Sequence, residues 1–142
     1  MCLPALDLVC YQVTSMVMQG VAAMAVQFFT GSPKALLAEF DKRIDQDEPK
    51  GRVTTWTRDK DGDYTHAAKD WVHKAWFRPR IVEGCLVFNI LGRKDTGLST
   101  VAYGYYHGHL TETFLNHFDE MFQSAASSAR FTTEDDAGGS AA

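Results

Sequence analysis

Cysteine is scarce in this chain: Cys2, Cys10 and Cys85 are the three among 142 residues. A lone Cys85 beyond the N-terminal stretch builds no disulfide framework, and no C-x-x-C pair offers a zinc or redox motif, which fits a reducing compartment. Clustered positive charge is missing too. The 14 Lys and Arg are scattered against 18 Asp and Glu, for a net charge of −4. A nucleic-acid module held by phosphate contacts is thereby excluded. No serine sits in a G-x-S-x-G frame, and Cys85 lies inside an apolar run, where a thiol is inert packing rather than a nucleophile.

The N-terminal stretch has little charge of either sign. Residues 1–29 carry only Asp7, and LVCYQVTSMVMQGVAAMAV at 8–26 has no charge. Four readings compete. Translation beginning at an internal Met24, with a dispensable extension before it, is the reading taken for residues 1–29. A helix or strand docked on the domain would need a face supplied by the rest of the chain. A signal peptide has Ala23-Met24-Ala25 as a cleavage site but no basic n-region. A membrane span is long enough, yet Gln12, Thr14, Ser15, Gln19 and Gly20 interrupt it and no Lys or Arg precedes Lys34. No membrane association is therefore expected. Residues 125–142, AASSARFTTEDDAGGSAA, are small and polar and are read as a disordered tail. Between these ends, residues 30–124 read as one domain.

Within that domain, Ser32 as cap, Pro33 at the first helical position and Leu36, Leu37, Phe40 and Ile44 at helical spacing predict a helix ending before Pro49. Strand patterns follow at 52–58, 64–68, 71–78 (with Pro79 as a stop), 82–91 and 99–109. Lys60-Asp61-Gly62-Asp63 and Gly92–Gly97 supply turns. Thr111 reads as the cap of a second helix, with Leu110 and Leu115 as a staple and Leu110, Phe114, Phe118, Met121 and Phe122 as its apolar stripe. The order helix, five strands, helix has no crossovers. It implies an α+β fold, a two-layer sandwich of a five-stranded antiparallel meander with both helices on one face. The open face would then be covered by a partner subunit, so a homodimer is expected.

Alternation along 99–109 places Val101, Tyr103, Tyr105, His107 and His109 on one side, and Ala102, Gly104, Tyr106 and Gly108 on the other. With Trp76 from the preceding strand and His117 from the second helix, Tyr103, Tyr105 and His107 make a candidate aromatic cleft for a small aromatic or apolar ligand. A zinc site on His107, His109 and His117 is set aside, because Asp119 and Glu112 point away from them, and neither metal nor cofactor is expected. Asp95-Thr96-Gly97 matches the aspartic-protease tripeptide but reads as a turn. Asp59, Asp61 and Asp63 lack the glycine position and final Glu of a calcium loop.

DWVHKAWF at 70–77 together with YGYYHGHLTETFLNHFDEMF at 103–122 resembles small uncharacterised proteins encoded in mobile integron gene cassettes. The resemblance covers roughly residues 50–125. It implies a bacterial, cytoplasmic protein and an internal start at Met24, and it carries over no functional residue. The functional expectation is a dimeric binding module. The alternatives are a small enzyme using His107 or His117 as general acid or base, and a protein-interaction module of the antitoxin or immunity type.

Overall fold

The computed structural model describes residues 25–130 and Asp135. The chain is α+β, with an antiparallel sheet and two helices among these residues. In chain order the elements are β1 (Val26–Phe29), α1 (Pro33–Asp45), β2 (Trp56–Arg58), β3 (Tyr64–His66), β4 (Ala75–Val82), β5 (Cys85–Gly92), α2 (Thr100–His117) and β6 (Ser124–Ser127). The strands stand in the order β2-β3-β4-β5-β1-β6.

Helix α1 follows its sequence signals except at the cap, where Ser32 holds the N-cap position without a side-chain capping bond. Pro33 opens it, Leu36 and Phe40 are buried, and the chain turns extended at Gln46. The β2–β3 hairpin closes through Asp61-Gly62, where Gly62 adopts φ +84°, and Asp59 Oδ1 accepts from the amides of Asp61 (2.9 Å) and Asp63 (3.0 Å). A side chain at that φ would be strained, which is why glycine holds the position. Strand β4 runs through Pro79 rather than stopping there. Its register with β3 is the single pair Tyr64 to Phe77, so Pro79 meets an edge with no β3 partner and forfeits no ladder bond on that side. The expected 82–91 strand is divided from β4 by the two-residue turn Glu83-Gly84 and resumes as β5.

Two expectations need correction. The sheet has six strands rather than five, because both ends of the described chain join it while the expected strand at 99–109 does not. β1 pairs with β5 on one side and with the edge strand β6 on the other, so 26–29 is a strand of the sheet rather than part of an extension, and 125–127 is a strand rather than a tail. The larger correction is at 99–109, which is not a strand. Ser99 caps α2, its hydroxyl accepting from Ala102 N at 3.0 Å, and the helix continues without a break to His117. Thr111 is therefore no cap. Its hydroxyl and that of Thr113 donate back to the carbonyls of His107 and His109, each at 2.8 Å, inside the helix. The staple fails as well, since Leu110 is buried while Leu115 is 53% exposed.

The same residues satisfied both periods. Ala102, Tyr103, Tyr106, His107, Leu110, Thr113 and Phe114 form one buried helical stripe. Burial of that stripe outweighs two interior glycines, each costing about 1 kcal/mol in a helix.

The core sits where this stripe meets the sheet. Phe28 stacks on Phe114 at 4.1 Å, and Phe88 contacts Phe28, Phe40, Phe77 and Phe114 edge-on. Phe40 of α1 and Phe114 of α2 also touch each other at 4.9 Å, so both helices send rings to the same cluster. Trp56, at the far edge, donates its indole N–H to the buried hydroxyl of Thr113 at 3.0 Å. Among the described residues no helix is long and apolar enough to cross a membrane. The signal, membrane and internal-start readings of residues 1–24 lie outside the described residues.

Candidate functional site

Converting a strand into a helix redistributes the candidate residues, since neighbours two apart on a helix lie about 200° round from each other. Tyr103 and His107, one turn apart, stay together. Tyr105 is carried to another side of α2, where it stacks on Trp71 at 3.7 Å and meets His66 and His109. His117 is ten positions beyond His107, roughly 15 Å along the axis. It lies half-buried beside Phe118, with no bond to a tyrosine hydroxyl among the described residues. Trp76 alternates with the core-facing Phe77 and so lies on the opposite face of the sheet. It lines a separate cleft of about 660 Å³ with Arg78, Leu91, Lys94 and acidic residues of the β2–β3 turn. The expected single cleft of Trp76, Tyr103, Tyr105, His107 and His117 is thus split among four places.

What remains is a groove of about 680 Å³ along α2 and the end of β6, lined by Thr100, Tyr103, Gly104, His107, Gly108 and Ala129 among others. Tyr103 anchors its far wall. The phenol hydroxyl contacts the Ser128 carbonyl (2.8 Å), the Arg130 carbonyl (3.0 Å) and the Ser128 hydroxyl (2.8 Å), which ties the chain after β6 to α2. Burial raises the pKa of this phenol above its ordinary value, so it remains a neutral donor.

His107 lies against Tyr103, ring on ring at 3.7 Å, and makes a T-shaped contact with Phe77 at 5.3 Å. Its Nδ1 is 2.6 Å from the Tyr103 carbonyl. A carbonyl only accepts, so Nδ1 carries the proton and Nε2 presents a lone pair. That Nε2 is buried and has no hydrogen-bond partner among the described residues, while the residue as a whole is 5% exposed. Burial lowers the imidazole pKa to about 4, only partly opposed by the bond to the Tyr103 carbonyl, so the ring is neutral near pH 7.

The floor of the groove is bare. A Cβ placed on Gly104 or on Gly108 would meet nothing within 4 Å, and neither glycine has a left-handed φ. The fold therefore does not require glycine at either position. The spacing Gly104-Tyr-Tyr-His-Gly108 was legible in the sequence, but reading it as a strand gave it no meaning as a helical stripe.

His66 and Trp71, which the sequence marks only as a titratable histidine and a strand aromatic, lie outside the expected cleft and gather around Tyr105. His66 is 3% exposed, and its Nδ1 accepts from Ala68 N at 3.1 Å. Its Nε2 consequently bears the proton, and it too lacks a hydrogen-bond partner among the described residues. Burial first, and then the neighbouring His109, lower its pKa. No signal in a short strand marked His66 as part of an aromatic nest with Trp56, Tyr105 and His109. Among the described residues, no group of three or more His, Cys, Asp or Glu is placed to hold a metal ion. No family model, curated protein or solved structure matches this chain.

Proposed function

We propose that this chain is a small binding module, and that the groove between α2 and β6 takes a compact, largely apolar molecule carrying one hydrogen-bond donor. One observation carries the reading: a buried, unpaired acceptor, His107 Nε2, beside two helix glycines that the fold itself does not need. An unsatisfied buried acceptor costs about 1–3 kcal/mol, and two helical glycines about 1 kcal/mol each. A ligand whose N–H or O–H reaches Nε2 while its apolar body lies over Gly104 and Gly108 offsets both costs.

The same geometry argues against the enzymatic alternative. A general base works best with a pKa near the operating pH, and an imidazole held at about 4 by burial is a weak one. We read the fold as two layers, with both helices on the face that carries Phe28 and Phe88. That places the groove at one end of the helical layer. A bacterial cytoplasmic origin remains part of this proposal, on the resemblance of 70–77 and 103–122 to integron-cassette proteins.

Titration with phenol and indole as probes tests the reading. The expected result is a saturable shift of the His107 ring nitrogen resonances, abolished by Gly104→Leu, with the far-ultraviolet spectrum unchanged. A shift that survives Gly104→Leu, or no shift with either probe, sinks it.

A second copy of the chain is favoured as an alternative occupant by Val101 and Leu115, which flank the glycine stripe at 71% and 53% exposure. Light scattering across a hundredfold concentration range separates the two. A dimer dissolved by Leu115→Glu would give the groove to a subunit rather than to a ligand.

A further inference from the structure

The sheet face turned away from the helices is covered, yet no described helix lies on it. Alternation from Phe28 and Phe88 puts Gln27, Cys85, Val87 and Asn89 on that face, where they are 2%, 4%, 0% and 4% exposed. Their neighbours toward β4 are less sheltered: Arg78 is exposed, and Trp76 and Val82 are half-buried. Burial is thus concentrated on β1 and β5. Two strands at about 4.8 Å spacing make a strip ~10 Å wide, the width of a single covering segment. Among the described residues, Asp135 is the one beyond the strands that bonds to this strip, accepting from Asn89 Nδ2 (3.1 Å) and Ile90 N (2.9 Å).

We propose that the uncharged segment 8–24 is the cover of this face. It leads directly into β1 at Ala25, two residues before Gln27, so its local concentration at the strip is high. Seventeen residues reach at least ~26 Å even at 1.5 Å per residue, which exceeds the ~13 Å length of four paired strand residues. Its chemistry also matches. Val9, Val13, Val17 and three methionines suit Val87 and Cys85, while Gln12, Thr14, Ser15 and Gln19 offer oxygens without charge. Arg80, paired in register with Val87, has buried Nε and Nη2 atoms with no hydrogen-bond partner among the described residues, and such oxygens are their complement. The polar residues that spoil the segment as a membrane span are the ones this face can use. Residues 131–142, with Phe131 as their sole large apolar side chain, supply far less.

The test uses the full chain carrying Cys2→Ser and Cys10→Ser, so that Cys85 is the remaining thiol. Maleimide labelling of Cys85 is expected to be slow and independent of protein concentration. Val13→Asp with Val17→Asp should speed it at least tenfold while Phe131→Asp does not. Hydrogen exchange of the unmodified chain should show amides in 8–24 protected at least a hundredfold, which decides the matter if the charged variant fails to fold. Exchange at the unprotected rate throughout 8–24 overturns the proposal. Labelling that slows with concentration gives the face to a second copy, and acceleration by Phe131→Asp alone gives it to the C-terminal segment. Either result overturns the proposal too.

Discussion

His107→Asn isolates the cost of burying an imidazole beside the groove. Asparagine keeps a donor in the place of Nδ1 for the Tyr103 carbonyl and removes the titration. In the folded chain His107 has its pKa lowered to about 4, against an ordinary value of 6.5. Between these values the unfolded chain binds more protons than the folded one, so His107 makes stability fall as pH drops from about 6.5 toward 4. At pH 5 the unfolded ring is almost wholly protonated and the folded ring about one-tenth so, which amounts to a loss of about 2 kcal/mol relative to pH 7. The full span of the shift is worth about 3 kcal/mol, and at 5% exposure little solvent screening reduces it. Urea unfolding followed by tryptophan fluorescence at pH 7 and pH 5 measures this directly. With a slope of about 1–3 kcal/mol per molar urea, the native midpoint should drop about 1 M further than that of His107→Asn. His66, whose pKa is also lowered by burial, contributes equally to both proteins and cancels. Parallel pH dependences in the two proteins would refute the assignment of His107 as a buried neutral ring.

Thr113→Val removes the acceptor of the Trp56 indole N–H inside the core and should cost about 1–3 kcal/mol, read as a lower urea midpoint with an unchanged slope. Phe114→Ala deletes the ring that stacks on Phe28 and touches Phe40 and Phe88, for a loss of about 3–5 kcal/mol, and a smaller loss would mean the core collapses into the gap. Gly62→Ala forces a side chain into φ +84° at the β2–β3 turn and should lower the thermal midpoint by several degrees, whereas Gly104→Ala, in open helical space, should raise it.

Where one reading of a segment was much better than its rivals, the structure agrees with it. Ser32-Pro33 and the Leu36/Phe40 spacing could only be a helix, and Asp61-Gly62 between two β-rich runs could only be a turn. The segment 99–109 had no such advantage. Tyr103, Tyr105 and His107 alternate as a strand does, and Tyr103, Tyr106, His107 and Leu110 recur as a helix does. The choice rested on the cap: Ser99 and Thr111 both qualify by residue type, and only the fold decides which hydroxyl meets a free amide. A helix begun at Thr111 instead of Ser99 starts twelve residues late and gives the candidate cleft the wrong neighbours. Tyr103 and His107 survived because one helical turn also separates them by an even number of residues.

The amino-acid sequence by itself determined the antiparallel α+β class, the position of the first helix and the turns at Gly62 and Gly97. Each of these depends on interactions within a few residues. Of the stripe expected for the second helix only Leu110 and Phe114 lie on it, since Phe118, Met121 and Phe122 follow its end at His117. Only the tertiary structure decided that Val26–Phe29 lies in the interior of the sheet, that Ser124–Ser127 is its edge, and that 100–110 is helical. A four-residue strand has no periodicity long enough to read, and its stability comes from partners about 60 and 100 residues away in the chain. Glycine 104 and glycine 108 show the same division. Their identity is plain in the sequence, but their openness exists only once the helix stands against the end of β6.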